Sequence, residues 1–235
     1  MKPELLSFSE LPSILPEYPV ISIAGAGGKT TLMFSLAQFL PDTVVTTTTT
    51  KVGETQITQA NQRLSINNFP PVHPNKIIWV SPSLEPQNKK IIGCSTKEFA
   101  QLAKICKSKN WPLIAETDGA AQRHLKAPAV HEPVIPQESN VCFYLAGLDT
   151  INQPLNVEFV HRPEIFSAIT GLEPNKLITA EIIAKMMDHP QGGLKNIPAN
   201  ALRIAYLTHA DTEERIEAGQ IISQLLQHYD YVCIH

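Results

Sequence analysis

A glycine-rich turn that ends in a lysine and two threonines is the part of this sequence best suited to binding phosphate. Its residues are Gly25, Ala26, Gly27, Gly28, Lys29, Thr30 and Thr31. Glycines let the backbone approach phosphate oxygens, and the N–H groups at the start of a following helix point at the anion. Lys29 can reach the β- and γ-phosphates of a nucleotide, and the Thr30 hydroxyl can bind Mg²⁺. The turn therefore predicts a site for ATP or GTP with Mg²⁺.

The turn is shorter than the usual phosphate-binding pattern, G-x-x-x-x-G-K-[ST]. That pattern requires a glycine where Ile23 stands, and Gly25 supplies the first glycine two residues later. The alternative is a plain strand-to-helix turn that carries a surface lysine. We favour nucleotide binding because a β-branched apolar run precedes the turn and a helix-like run follows it, which is the order that the motif requires.

Two carboxylates, Glu116 and Asp118, come at the end of an apolar strand predicted over 113–116. Side chains two residues apart on a strand point the same way, and parallel α/β sheets bind ligands at the carboxyl ends of their strands. We expect Asp118 to bind Mg²⁺ together with Thr30, and Glu116 to position an attacking water. Lys29, Glu116 and Asp118 would then form the catalytic group. An ordinary acidic strand end is the alternative.

A proline-rich loop after the acidic pair gathers cationic side chains. Arg123, Lys126 and His131 lie in this loop, and His161 and Arg162 form a second polar cluster just before a predicted helix. Guanidinium and ammonium groups bind phosphates and carboxylates, and imidazole is ionisable near neutral pH. These residues are therefore candidates to contact an anionic substrate or the γ-phosphate, with a solvated polar loop as the alternative.

Asp211 is a candidate to read the base of the nucleotide. It lies four residues into a turn after a predicted strand, where guanine-binding folds have N-K-x-D, although Thr208 and His209 replace the Asn and Lys here. The alternative is that Asp211 caps the helix predicted over 211–228.

Threonine hydroxyls and histidine rings provide weaker candidates. Residues 46–50 are five threonines at the end of a predicted strand, where hydroxyls can contact Mg²⁺ or the γ-phosphate. Threonine is also a good strand former, so a structural role is the alternative. His124, His131 and His161 can together bind a metal, but their spacing is not diagnostic.

Composition narrows the class of protein. The chain has 235 residues, 43% hydrophobic and 17% charged, with a formal net charge of −3. This length and balance suit a single folded domain, and the absence of a Lys/Arg block argues against a nucleic-acid-binding protein. Because the sequence has no apolar run of about 20 residues, no signal-peptide pattern and four scattered cysteines, we expect a cytoplasmic protein with no membrane association.

The predicted elements must bring these residues to one edge of a sheet. Strands over 20–24 and 113–116 alternate with helices such as 29–40, and this alternation predicts an α/β fold with a mainly parallel sheet flanked by helices. Residues 53–75 are polar and proline-bearing, which predicts a loop. We expect one domain over residues 1–235, with a small, mostly helical insertion over 163–200.

Several motifs together resemble the YqeC family, whose members are described as accessory proteins of selenium-dependent molybdenum hydroxylases. The motifs are Ala24–Thr31, Thr46–Lys51, Glu116–Ala120, Leu125–Pro136, Ala146–Asp149, His161–Glu164 and Gly192–Lys195. The resemblance runs nearly end to end and implies a P-loop NTPase-like three-layer fold. It also implies a pathway, the maturation of a selenium/molybdenum hydroxylase, more firmly than a reaction.

Our leading hypothesis is a Mg²⁺-dependent nucleotide hydrolase or transferase that serves this maturation, with a maturation protein as a possible partner. One alternative is a non-catalytic nucleotide switch that docks onto a cofactor-loading partner. Another is a ligase or kinase acting on a small acid, because the loop is similar to the G-T-N-G-K-T-T loop of ATP-dependent Mur-type ligases. A metal or selenium carrier based on the three histidines is a further alternative. The sequence leaves the choice of ATP or GTP, the second substrate and the oligomeric state open.

Overall fold

The computed structural model describes residues 2–235, which form thirteen strands and six α-helices. The strands are β1 (Glu4–Leu6), β2 (Val20–Gly25), β3 (Val44–Thr48), β4 (Lys51–Gly53), β5 (Gln62–Ser65), β6 (Ile77–Ser81), β7 (Lys90–Ile92), β8 (Leu113–Glu116), β9 (Leu125–Lys126), β10 (Val141–Gly147), β11 (Val160–His161), β12 (Leu202–Thr208) and β13 (Tyr231–Ile234). The helices are α1 (Leu11–Ile14), α2 (Lys29–Phe39), α3 (Thr96–Lys109), α4 (Pro163–Thr170), α5 (Ala180–Met187) and α6 (Glu213–Leu225). Short 3₁₀ turns cover Phe8–Glu10, Glu54–Ile57, Ile66–Asn68 and Leu148–Thr150.

Nine strands form one sheet in the order β1-β13-β12-β10-β2-β8-β3-β6-β5. Every neighbouring pair in this sheet is parallel. Two small pairs, β4 with β7 and β9 with β11, lie outside it. The loop that follows β2 therefore emerges between the ends of β8 and β10. This topology places the glycine-rich turn beside the acidic end of β8.

Helices cover both faces of the sheet because its side chains alternate between two apolar faces. On one face, Ile21 and Ile23 of β2 pack in a core with α1 and α2. On the other face, α3 packs over β3, β6 and β8, and α4 to α6 pack over β10, β12 and β13. The predicted α/β fold with a parallel sheet between helical layers is confirmed.

The helix that follows the glycine-rich turn begins as the motif predicts. Gly28 is its N-cap residue with φ +102°, a left-handed conformation that suits glycine. The helix runs from Lys29 to Phe39 and ends just before Pro41. At α3, Ser95 is the N-cap residue and accepts a hydrogen bond from the backbone N–H of Glu98. Local sequence thus determines where both helices begin.

Two sequence expectations about the elements need correction. Residues 53–75 are not a continuous loop, since β5 (Gln62–Ser65) adds a parallel edge strand to β6. The segment 163–200 contains only two eight-residue helices, and turns make up much of the rest. These helices pack on the main sheet through Phe166 and Ile183, which belong to the same core as β10 and β12.

Candidate functional site

The first half of the glycine-rich turn is packed tightly against its neighbours. The Gly25 N–H donates to Oδ2 of Asp118 at 3.1 Å, and the Ala26 N–H donates to the Leu145 carbonyl at 3.0 Å. A Cβ on Gly25 would lie 2.3 Å from that same carbonyl oxygen. These two residues therefore fix the turn to β10 and to the segment that follows β8, and their N–H groups are already used.

Gly28, the last glycine of the turn, faces open space. Its φ is +102°, and a Cβ at this position would meet no atom of residues 2–235 within 4 Å. It is followed by the first N–H groups of α2, which have no partner within the helix. An anion can approach the backbone here without a side chain in the way.

Lys29 is held by the turn itself and by two carboxylates. Its ammonium donates to the Gly25 carbonyl at 2.8 Å and lies 3.3 Å from Asp118 Oδ1 and 3.7 Å from Glu116 Oε1. Burial acts to lower the pKa of Lys29, but the charges of Asp118 and Glu116 outweigh it and hold the pKa above its usual range. The ammonium is therefore a permanent cation at the mouth of the turn.

Thr30 and Glu116 meet directly. The Thr30 hydroxyl donates to Oε2 of Glu116 at 2.8 Å, and the Gln56 side chain reaches Thr30 Oγ1 at 3.4 Å. The Glu116 side chain is 13% exposed. A hydroxyl and a carboxylate at this spacing are the hard oxygen ligands that Mg²⁺ prefers. Thr30 and Glu116 thus fit a Mg²⁺ site beside Lys29.

Asp118, which we expected to bind Mg²⁺, lies deeper than Glu116. It is fully buried, and its Oδ2 accepts from the Lys126 ammonium at 2.8 Å as well as from the Gly25 N–H. Its Oδ1 lies 3.3 Å from Lys29 Nζ but forms no well-oriented hydrogen bond with any residue that the structure describes. The carboxylate therefore joins two lysines and the backbone of the turn, and Glu116 is the carboxylate that adjoins Thr30.

A chain of alternating charges continues from Asp118 toward the surface of the protein. The fully buried Lys126 also donates to Glu132 Oε2 at 2.8 Å and to the Gly119 carbonyl at 2.6 Å. Glu132 in turn accepts two hydrogen bonds from the Arg162 guanidinium, at 2.7 and 3.1 Å. Burial would raise the pKa of Glu132, but Arg162 and Lys126 lower it to about 2.

Two of the predicted substrate-contacting residues, Lys126 and Arg162, are therefore brought together by Glu132. Arg162 lies just before α4 and also donates to the Ala127 carbonyl at 3.3 Å. Burial, with the neighbouring cations Arg162 and Lys126, lowers the pKa of His161. Glu132 was not predicted as a site residue, because its position between Lys126 and Arg162 depends on the path of the loop.

Other predicted residues lie away from this network. The Arg123 side chain donates to the Val157 carbonyl at 2.7 Å. His131 is 78% exposed and only approaches Glu132, at 4.0 Å. Asp211 forms an ion pair with Arg215, and the N-cap residue of α6 is Thr212 rather than Asp211.

The threonine run has a structural role at three of its positions. Thr46, Thr47 and Thr48 are fully buried, and their hydroxyls donate to the carbonyls of Ile78, Val80 and Glu116, respectively. These hydroxyls therefore tie β3 to its neighbouring strands, which matches the alternative that threonine serves here as a strand former.

The three histidines that we grouped as a possible metal site do not form one. Among the residues that the structure describes, the group close enough to share an ion is His124, Asp149 and His209. Neither Asp149 nor His209 is near His124 in sequence, and neither was predicted as a metal ligand: Asp149 ends one of the motifs of the YqeC resemblance, and His209 stands where N-K-x-D has its lysine.

A cavity of about 600 Å³ lies at the opposite edge of the sheet, where strands begin. Val20, Trp111 and Asn140 line it, and none of the charged residues discussed above does. The candidate site lies at the other edge, where the charged residues converge and where parallel sheets bind ligands, at the carboxyl ends of their strands. Within residues 2–235, no helix is both long and apolar enough to cross a membrane.

Comparison with known proteins gives the following matches. The sequence model of a family described as "YqeC protein" matches residues 21–164. A protein of Escherichia coli (strain K12) named "Uncharacterized protein YqeC" is 30% identical over 218 residues, which cover 89% of this chain and 83% of that protein. No solved structure matches the chain. The matched segment contains the glycine-rich turn, the acidic strand end and the Lys126–Glu132–Arg162 network.

Proposed function

The chain belongs to the YqeC family, and from the geometry of its glycine-rich turn we propose that it binds ATP or GTP with Mg²⁺ and hydrolyses the nucleotide. The observation that carries this proposal is the hydrogen bond of 2.8 Å between Thr30 and Glu116, next to the Lys29 ammonium. A cation, a hydroxyl and a carboxylate then lie together where a helix begins. Phosphate-binding turns of nucleotide hydrolases require the same three groups.

Each group has a defined role in the proposal. Lys29 moves from the Gly25 carbonyl to the phosphates, which offer its ammonium stronger, charge-assisted hydrogen bonds. Thr30 and Glu116 hold Mg²⁺, which neutralises charge on the phosphates. The open backbone at Gly28 supplies N–H donors.

Asp118 is reassigned in this proposal from metal ligand to positioning residue. Its two oxygens face Lys29, Lys126 and the Gly25 N–H, so it fixes both the lysine and the turn. Moving it to a metal would leave the buried Lys126 with one fewer anionic partner, which is costly.

The pathway part of the proposal, maturation of a selenium-dependent molybdenum hydroxylase, is supported by the family resemblance alone. The motifs that carry the resemblance surround the turn and the charge network, and we propose that nucleotide use at this site serves that maturation. A maturation protein would then be the partner.

A nucleotide-dependent switch is a second candidate, and the continuous charge network favours it. The contacts run from Lys29 through Asp118, Lys126 and Glu132 to Arg162, immediately before α4. When phosphate takes Lys29 away from Asp118, the balance of charge along this network changes. That change can be passed to α4 and read by a partner.

The test is nucleotide affinity measured by calorimetry, with and without Mg²⁺, in wild type and Lys29→Ala. Lys109→Ala, at the end of α3, is the matched control because its side chain is exposed. We expect wild type and the control to bind with an affinity that Mg²⁺ increases, and Lys29→Ala to lose at least tenfold. Equal, negligible binding by wild type and Lys29→Ala would refute the proposal. Binding without phosphate release would favour the switch over the hydrolase.

A further inference from the structure

Three side chains from separate loops meet beside the glycine-rich turn. His124 follows β8, Asp149 follows β10 and His209 follows β12, and their potential ligand atoms all lie within 4.8 Å of one another. His124 Nδ1 lies 2.6 Å from Asp149 Oδ2. The rings of His124 and His209 are stacked, with centroids 4.4 Å apart and planes 10° from parallel.

The backbone holds the residues of this cluster close together. The Gly147 N–H donates to the His124 carbonyl at 2.7 Å, so the His124 loop is tied to the end of β10. A Cβ on Gly147 would lie 2.7 Å from both Asp149 Oδ1 and the His124 Cβ, so glycine is needed for these two side chains to approach. His209 adopts φ +61°, a conformation uncommon outside glycine, and this turns its ring onto His124.

The cluster leaves one acceptor without a partner. Asp149 Oδ2 faces His124, but Asp149 Oδ1 is buried and, within the part of the chain that the structure describes, has no hydrogen-bond partner. A buried oxygen without a donor is costly unless another group satisfies it. The His124 side chain is 42% exposed and the Asp149 side chain 25%, so the cluster is open to solvent on one side.

We propose that His124, Asp149 and His209 bind one divalent transition-metal ion of the zinc class. Two imidazole nitrogens and one carboxylate oxygen are a ligand set typical of zinc, at about 2 Å from the ion. Two nitrogen ligands do not suit Mg²⁺, which prefers oxygen. Ligand atoms around one tetrahedral ion lie about 3.3 Å apart. The three side chains must therefore draw closer than their present separations of up to 4.8 Å, and one of the two stacked rings must rotate so that its nitrogen lone pair points at the ion. Three protein ligands leave a fourth position open.

This site adjoins the phosphate site but shares no side chain with it. A Cβ on Gly27 would lie 3.2 Å from the His124 carbonyl oxygen and 2.9 Å from Thr208 Oγ1, so the turn packs against the His124 backbone and against the side chain of Thr208, the residue before His209. Lys29, Thr30 and Glu116 belong to the other side of the turn. The inference therefore does not depend on nucleotide binding.

An ordinary hydrogen bond between His124 and Asp149 is the simpler explanation, and a change at His209 distinguishes it from a metal site. The hydrogen bond needs only His124 and Asp149, whereas the metal site needs all three residues. His209→Asn removes the imidazole, and asparagine tolerates the same left-handed backbone. His131→Asn is the control, because His131 is 78% exposed and outside the cluster.

The experiment is calorimetric titration of chelator-treated full-length protein with Zn²⁺ in buffer that contains Mg²⁺. Titration with Co²⁺, followed by its visible absorption, reports the ligand environment directly. We expect one equivalent in wild type, His131→Asn and Lys29→Ala, and at least a tenfold loss of affinity in His209→Asn. Asp149→Asn should also weaken binding. Circular dichroism of each variant checks that it is folded.

Two outcomes would overturn the proposal. The first is no stoichiometric uptake of Zn²⁺ or Co²⁺ by wild type. The second is equal affinity in His209→Asn and His131→Asn, which would mean that His209 is not a ligand. If His209→Asn fails to fold, the Co²⁺ spectra of wild type and Asp149→Asn decide: identical spectra would refute the site. Loss of nucleotide binding in Lys29→Ala with unchanged Zn²⁺ uptake separates the two sites.

Discussion

The Thr30 hydroxyl donates to Oε2 of Glu116 at 2.8 Å, which joins the first turn of α2 to the last residue of β8. Neighbouring β2 and β8 are parallel, with Ile23 opposite Glu116 in the register. The helix that follows β2 therefore starts level with the end of β8. Any nucleotide on the glycine-rich turn would have Glu116 as its nearest carboxylate on the Thr30 side.

Changing Glu116 to glutamine should reduce the effect of Mg²⁺ on nucleotide affinity. The amide oxygen of the new side chain can still accept the hydrogen bond from Thr30, so the loop keeps its geometry while the proposed metal ligand and its negative charge are removed. We expect the affinity measured with Mg²⁺ to fall at least tenfold, and the affinity without Mg²⁺ to stay the same or rise. Calorimetry over a Mg²⁺ series measures both.

The control for this change is Glu138→Gln, since Glu138 is exposed at the opposite edge of the sheet. The control should behave as wild type. If Glu116→Gln and wild type respond to Mg²⁺ identically, Glu116 is not at the metal, and Asp118 becomes the candidate again.

Alanine should be tolerated less well at Gly25 than at Gly28. Both glycines have positive φ, which costs a non-glycine residue about 1–2 kcal/mol. At Gly28 that is the whole cost, because a Cβ would meet no described atom within 4 Å, whereas at Gly25 it would lie 2.3 Å from the Leu145 carbonyl oxygen. We expect Gly25→Ala to lower the free energy of unfolding by about 3 kcal/mol or more. Urea unfolding of both variants checks this order, and equal costs would contradict it.

Much of the site follows from the sequence because short-range rules determine it. The left-handed Gly28 at the start of α2 and the apolar strand before Glu116 are both local features, and parallel strands bring their carboxyl ends to one edge. The proximity of Lys29, Thr30 and Glu116 could therefore be expected. The different depths of Glu116 and Asp118 could not, because Asp118 lies beyond the end of β8 and alternation along a strand no longer applies.

The remaining contacts depend on the paths that the long loops take over the sheet. Glu132 reaches Lys126 and Arg162 only because the loop after β9 folds back toward α4. Likewise β5, Gln62–Ser65, has one aliphatic side chain among polar ones, so its composition resembles a loop, and pairing with β6 makes it a strand. In both cases tertiary contacts override local preference.

Replacing Lys126 with methionine should destabilise the fold strongly. Lys126 is fully buried between Asp118 and Glu132, and methionine would leave both carboxylates without their shared cation. Breaking a buried ion pair costs about 3–5 kcal/mol. The exposed Lys176→Met is the control and should change the free energy of unfolding by less than about 0.5 kcal/mol. A Lys126→Met protein as stable as this control would show that the network does not stabilise the fold.

The charge network should also make stability depend on acid pH through Glu132. Its pKa is lowered from 4.5 to about 2 in the folded protein by Arg162 and Lys126, so the unfolded chain binds a proton first as pH falls. The stabilisation is therefore complete above about pH 5 and is lost as pH falls from there toward 2, to a total of about 3 kcal/mol. In Glu132→Gln this contribution is absent, and the free energy of unfolding should fall less steeply over the same range. Urea unfolding of both proteins at several pH values measures the difference, and parallel pH profiles would show that Glu132 does not carry it.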